Sequence, residues 1–425
     1  MKQHLCKWAS QNQSVKLFCV IAGQIKHFYI LNEYFIIGTI LLKLYSAQNT
    51  GKDTSMNRND ILMIHGTEYK EMTKKLLKEA DLEALIGDRN KRIGIKPNLV
   101  VAQDPSNGAT THKELVEGTI EYLQEHGFFH ISIMEGSWVG EKTERAFRAL
   151  GYDKLSKKYC VTLVDLQKDS CKEYHAAGMK ISVCDAALQV DFMINMPVLK
   201  GHCQTTVTCA LKNNKGVIPN SEKRRFHTMG LHKPIAHLNT IVKNDFILVD
   251  NICGDLDFEE GGNPVVMNRI LGFTDPVLCD AFAGECMGYQ PEDVDYIMIA
   301  KQLGIGSPDL ANANRILLNE AIYEAEKVSM TRRVERLAAF IRPEDACSAC
   351  YGSLIYALNR LNDKGLLKKG MPPIAIGQGY QGKTGKLGVG RCTGCFEKSL
   401  AGCPPKGAEI VTFLEQEWNV FLEGM

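Results

Sequence analysis

From residue 60 onward, short apolar runs alternate with segments whose apolar positions recur every three or four residues. The runs at 61–64, 92–95, 131–134, 161–164, 192–196 and 246–249 have the length of strands. Between 113 and 125, Leu115, Val116, Ile120 and Leu123 fall on one helical face. Thr110 or Thr111 is placed to cap that helix, with Glu114 three residues after Thr111. The same spacing predicts helices over 141–150, 205–212, 232–242, 274–287 and 294–303. Strands alternating with helices imply parallel pairing through crossover helices. The predicted fold class is therefore α/β, a mainly parallel sheet with crossover helices. A small C-terminal Cys- and Gly-rich metal-binding unit follows it.

The pattern divides the chain into an α/β core over 56–310, a helical connection over 311–345 and a smaller Cys- and Gly-rich unit over 346–425. Residues 1–55 do not share it. Their strongest apolar run, 34–42, lies between Glu33 and Lys43 and is too short to span a bilayer, which takes about 20 helical residues. Lys2 and Lys7 stand too far upstream of it for a secretory signal. Met56 reads as the biological start, and residues 1–55 as a non-native or disordered extension.

Charge narrows the class of partner. A net charge of +1 gives no general pull toward nucleic acid or an anionic membrane. Small anionic molecules and a redox partner protein remain. Of the 15 cysteines, Cys160, Cys171, Cys184, Cys209, Cys253 and Cys279 sit in or beside apolar runs and read as small buried hydrophobes. Such usage fits a reducing cytoplasm.

The C-terminal cysteines differ. Cys347 and Cys350 form one CxxC pair, Cys392 and Cys395 a second, and Cys403 precedes two prolines. Sets of soft thiolates suit zinc or an iron–sulfur cluster. Compact zinc modules space their knuckles by roughly 15–20 residues, and this separation is much wider. The Cys-Pro element is like the end of cluster-binding runs. The favoured cofactor is a 4Fe-4S cluster, with zinc as the alternative. Five thiols compete for four positions.

Between the pairs, residues 377–384 match a phosphate loop, ending in Lys383 and Thr384, and contain Gly377, Gly379 and Gly382. A phosphate loop needs a helix directly after it. The following glycines argue against one, so the loop is expected to wrap the metal site. A nucleotide-dependent enzyme is the corresponding alternative.

A second polar set stands at, and around, the carboxyl ends of predicted strands, where open α/β sheets bind ligands. Lys96, Asn98, Glu135, Asn195, Lys212, Asn213 and Asp250 are the candidate ligand-binding residues. Lys200 and His202 are the catalytic candidates, His202 because it titrates near neutrality. The basic run 221–227 reads as a solvated loop that is able to meet a phosphate.

The segments Ile95-Lys-Pro-Asn98, Asn195-Met-Pro-Val-Leu-Lys-Gly-His202, Ala210-Leu-Lys-Asn-Asn-Lys-Gly216 and Gly402-Cys-Pro-Pro405 together resemble domain of unknown function family 362. The resemblance runs from about residue 60 to the end. It implies an α/β core and, from the elements around Cys347, Cys350, Cys392 and Cys403, the cluster-bearing subgroup. On that pattern Cys392 is the third ligand and Cys395 is spare. The resemblance supplies no reaction. A cytoplasmic redox or electron-transfer protein, an oxidoreductase if it is an enzyme, is the first expectation. A non-redox isomerase or lyase with a structural cluster is the second.

Overall fold

The computed structural model describes residues 56–320 and 333–423 apart from 257, 260 and 263. The expectations placed on residues 1–55 lie outside the described residues. Twelve strands enter before the C-terminal unit: β1 (Asp60–His65), β2 (Ile93–Pro97), β3 (Ile131–Glu135), β4 (Thr162–Asp165), β5 (Cys171–Ala176), β6 (Met179–Cys184), β7 (Phe192–Met196), β8 (Lys200–His202), β9 (Thr206–Thr208), β10 (Phe246–Asp255), β11 (Pro264–Phe273) and β12 (Asn314–Leu317). Eight of them form one sheet in the order β12-β1-β11-β10-β7-β2-β3-β4. All neighbours run parallel except β11, which is antiparallel to β1 and β10.

Strand alternation divides the core into two layers. Ile247 and Val249 face one cluster with Met193, while Phe246 and Leu248 face the other with Ile93 and Ile95. Helices cover both layers, as a mostly parallel sheet requires. The mixed α/β class with a large, mostly parallel sheet thus matches the alternation of runs in the sequence.

Several local expectations are corrected. Residues 205–212 are not one helix. β9 occupies Thr206–Thr208, and a helix covers only Ala210–Asn213. Thr205, Thr206, Val207 and Thr208 are all β-branched, which favours extended backbone. Neither threonine caps the helix Lys113–Glu125, whose N-cap position is His112. The Thr111 hydroxyl instead accepts from the Asn98 N–H at 2.8 Å and donates to the Met196 carbonyl at 2.9 Å, tying the ends of β2 and β7 together. Within 311–345, β12 adds a parallel edge strand beside β1 where helix was expected. Cys160 is exposed and Cys171 half-buried, unlike the buried Cys184, Cys209, Cys253 and Cys279. The run 221–227 belongs to the helix Asn220–Thr228, and its Lys223 is buried. Among the described residues no helix is long and apolar enough to cross a membrane.

The C-terminal unit has its own parallel sheet, β13 (Ile341–Pro343), β14 (Ile374–Ile376), β15 (Leu387–Val389) and β16 (Lys398–Leu400), in that order. The helices Ser348–Asp363 and Gly407–Glu423 pack with it, and Leu354, Leu358, Ile374, Val389 and Leu414 form the shared core. Cys203 and Phe258, from the α/β core, pack against that same cluster.

Candidate functional site

Because β13 to β16 are parallel, their carboxyl ends lie on one edge. Cys347 and Cys350 follow β13, Gln378 follows β14, Cys392 follows β15 and Cys403 follows β16. Backbone bonds lock these loops together. The Gly390 N–H donates to Leu400 O and the Arg391 N–H to Gly402 O, each at 2.8 Å. Gln378 Nε2 lies 3.3 Å from Cys347 Sγ, and Gln381 Nε2 lies 3.5 Å from Cys392 Sγ. Burial pushes the Cys350 thiol up to about 12, and Cys347, Cys403 and Cys392 add to the push. Burial likewise raises Cys347, with Cys392 and Cys403 adding to it. Cys347 and Cys350 thus both stand close enough to Cys392 and Cys403 to be affected by them.

Cys395 is exposed and is absent from that mutual influence. It lies on the path back to the amino end of β16, where the Glu397 N–H donates to Gly385 O at 2.9 Å. The glycine loop is followed by β15, not by a helix. Lys383 is paired with Glu344 at 2.7 Å. Gly377 sits where a Cβ would lie 1.9 Å from Glu344 O, so the loop packs against the segment that leads into Cys347.

A separate group, Cys209, Cys279 and Asp280, places its ligand atoms within 4.8 Å of one another inside the α/β core. Together with the C-terminal cysteines it suggests that the chain handles a metal. Burial raises all three groups, Asp280 to about 7.

The second site lies at the carboxyl edge of the large sheet. Register places Lys96 beside Asn195, with β3 on the other side of β2 delivering Glu135. Lys96 Nζ donates to Glu135 Oε2 at 2.9 Å, to Pro97 O at 3.0 Å and to Asn213 Oδ1 at 3.2 Å. Both members of this ion pair are buried. The Leu99 and Gly136 N–H groups complete the carboxylate at 3.0 and 2.7 Å.

Lys212 Nζ donates to Glu259 Oε1 at 2.7 Å, and His202 Nε2 meets Glu259 Oε2 at 2.8 Å. His202 Nδ1 accepts the Gln204 and Thr205 N–H groups, each at 3.1 Å. That fixes the neutral tautomer with its proton on Nε2, donated to Glu259. Burial, assisted by Lys212, lowers His202 to about 4. Burial opposes ionisation of Glu259, but Lys212, His202 and Lys215 outweigh it and hold the carboxyl well below its usual range. Burial lowers Lys200 to about 7; its ammonium donates to Ala109 O at 2.6 Å and Glu259 O at 2.8 Å.

Between the Lys96–Glu135 and Lys212–Glu259 pairs lies a cavity of about 50 Å³, room for a few waters or a small anion. Of the expected ligand-binding residues, Lys96, Asn98, Glu135, Lys212 and Asn213 line it. Asn195 and Asp250 do not. Asn195 lies beneath and accepts from Asn213 Nδ2 at 2.7 Å. Asp250 is engaged with His112 at 2.8 Å, an ion pair that overcomes burial and raises His112 to about 10. Lys200 and His202 stand behind the lining. The structure adds Lys215, Lys223, His227 and Glu259, of which only Glu259 carried no signal in the sequence.

Gly216 explains how the cavity closes around its charges. A Cβ there would lie 2.2 Å from Glu135 Oε1 and 2.6 Å from Lys96 Nζ. Gly216→Ala is expected to cost about 1–3 kcal/mol, read as a fall in urea midpoint. Gly284→Ala, in the helix Pro276–Cys286 with only ordinary contacts from 3.7 Å, is the control and should be neutral or slightly stabilising.

Three comparisons show what the chain is similar to. A thylakoid-associated protein, sll1697, of Synechocystis sp. (strain ATCC 27184 / PCC 6803 / Kazusa) is 27% identical over 139 residues, 32% of this chain. The chain spans 42% of that relative's length. The lactate racemase apoprotein structure from Thermoanaerobacterium thermosaccharolyticum aligns with 53% of this chain and 56% of its own, at 12% identity and a TM-score of 0.35. Residues 93–285 match the model of a domain of unknown function, DUF362. That span contains Lys96, Glu135, Lys212 and Glu259, and the match supports the resemblance of the chain to domain of unknown function family 362.

Proposed function

We propose that this chain is a 4Fe-4S protein that uses Cys347, Cys350, Cys392 and Cys403 as ligands and serves redox chemistry on a small anion held at the Lys96–Glu259 cavity. The observation that carries this reading is the delivery of the four thiols to one edge of a parallel sheet. Four thiolates are the usual donor set for such a cluster. A single zinc ion holds its sulfurs at about 2.3 Å and so draws them tightly together. Among the described residues the group with all ligand atoms within 4.8 Å is the one at Cys209, not the C-terminal thiols. The wider set favours a cluster over one ion. A bound cluster would supply one-electron transfer. The Gln378 and Gln381 amides would then donate hydrogen bonds to ligand sulfurs, which tunes potential.

The α/β core stands against this unit. A Cβ on Gly352, in the helix that carries Cys350, would lie 3.3 Å from Cys203 Sγ. Cys203 also acts electrostatically on Lys215, a cavity residue. Cys203 therefore stands near both the helix that carries Cys350 and the charged groups of the cavity, which supports a role that joins the two. The cytoplasm and a soluble redox partner protein belong to the same reading.

The test is anaerobic purification, iron and sulfide analysis, and electron paramagnetic resonance after dithionite. About four irons per chain and a signal on reduction are expected. A colourless protein with stoichiometric zinc would overturn the reading.

A further inference from the structure

The cavity is lined by four lysines, Lys96, Lys212, Lys215 and Lys223, against two carboxylates, Glu135 and Glu259. Two of these lysines are matched one to one with those carboxylates. The other two are not. Lys223 Nζ, on the helix Asn220–Thr228, donates to Gly136 O at 2.8 Å and Ser137 O at 2.9 Å. Lys215 Nζ, on the short turn Asn214–Val217, lies 3.1 Å from His227 Nε2. Its hydrogen-bond partner is thus an imidazole and not a carboxylate. Two cationic side chains in contact inside a protein repel, so the pair holds fewer than two protons.

We propose that this cavity is an oxyanion site whose loading is coupled to uptake of one proton by Lys215. The proposal rests on the anionic ligand read above and adds the proton. A bound carboxylate, phosphoryl or sulfuryl group would lie among the Lys212, Lys215 and Lys223 amino groups and supply the missing negative charge. It would favour the ammonium form of Lys215, which then donates to the anion.

The surroundings of Lys215 set the direction. Burial lowers it to about 7; Lys212 adds to this from the helix Ala210–Asn213, Lys223 adds from the helix Asn220–Thr228, and Glu259 opposes from the segment after β10. Cys203, between β8 and β9, also opposes. His227 is held far below its usual value by burial and Lys215, with His202 and Lys212 contributing, so it stays neutral, accepts a hydrogen bond from Lys215 and does not compete as a cation. Above neutrality the empty site therefore contains a Lys215 amine. Anion binding restores the proton, and affinity falls as pH rises.

The experiment is calorimetric titration of the whole protein, as purified, with sodium sulfate and, separately, sodium acetate. Neither anion titrates between pH 6 and 9. Buffers of different ionisation enthalpy report the proton count. Near pH 8 the native protein is expected to take up close to one proton per anion. Uptake should approach zero at pH 6, and affinity should fall about tenfold per pH unit above Lys215's transition. Sulfate alone binding points to a phosphoryl-type ligand, acetate alone to a carboxylate; either supports the site. Lys215→Arg should bind the anion with a much flatter pH profile and most of the proton uptake lost, the remainder coming from Lys223, which burial lowers to about 8, while Lys215→Met should lose affinity.

Absence of binding by both anions would overturn the anion reading itself. Binding with proton uptake that survives in Lys215→Arg but disappears in Lys223→Arg would overturn only the assignment to Lys215. Iron content measured on the same samples keeps both outcomes separate from the cluster assignment.

Discussion

Cys350→Ser is expected to abolish cluster binding, while Cys395→Ser leaves it intact. Cys350 lies in the first turn of the helix Ser348–Asp363, and its thiol is influenced by the other three candidate ligands. A serine hydroxyl is a poor substitute for a soft thiolate. Iron per chain should fall from about four to below one in Cys350→Ser, and Cys403→Ser should behave alike. Cys395→Ser should keep the native iron content, because Cys395 is exposed on the return to β16. Cluster binding also contributes to folding, since a preformed site rarely exists in the unfolded chain. Protease sensitivity should therefore rise within 341–423 in Cys350→Ser and not in Cys395→Ser. Native iron content in Cys350→Ser and Cys403→Ser would remove these thiols from the ligand set.

That ligand edge is partly legible in the sequence. Two CxxC pairs and a Cys-Pro are local signals, and the family pattern separates Cys392 from Cys395. The sheet that gathers them is not legible there. β14 alone shows, as the apolar run before the glycine loop; β13, β15 and β16 are three residues each, too short for alternation to register. Gln378 and Gln381 escape assignment as well, because a glutamine in a glycine loop carries no pattern.

The cavity shows the same division. Lys96 and Glu135 are legible because strand ends of an α/β sheet face a common edge, and Lys212 because it stands in a polar Lys-Asn-Asn-Lys-Gly segment able to meet an anion there. Lys223 is legible only as part of a basic run, and a run of charged residues ordinarily marks a solvated face. Here the helix Asn220–Thr228 turns Lys223 inward to two carbonyls while Arg224 shares the same run. Glu259 lies in an acidic, glycine-rich stretch with no periodicity at all. Its partners, Lys212 and His202, are far away in sequence, and only packing brings the three together.

The second large effect is expected from Glu135→Gln. The variant leaves the Lys96 ammonium buried without its counter-charge, and removing one member of a buried pair costs about 3–5 kcal/mol. The Gly136 N–H bond at 2.7 Å and the Leu99 bond at 3.0 Å would also be contested by an amide that donates on one side. Urea midpoints against native protein measure the loss. Its pH dependence carries a sign. Burial already lowers Lys96, and loss of Glu135 removes the charge that opposes this. Between that further-lowered value and the unfolded lysine value the unfolded chain binds more protons, so stability of the variant rises with pH. The deficit should shrink from pH 7 to pH 9. The paired replacement Lys96→Met with Glu135→Leu removes both charges and should recover most of the loss, since an apolar pair of similar volume is often neutral. Recovery of stability without recovery of sulfate or acetate binding would show that the pair is retained for the ligand. A Glu135→Gln variant within about 1 kcal/mol of native would instead show that water or a rearranged Asn213 compensates Lys96.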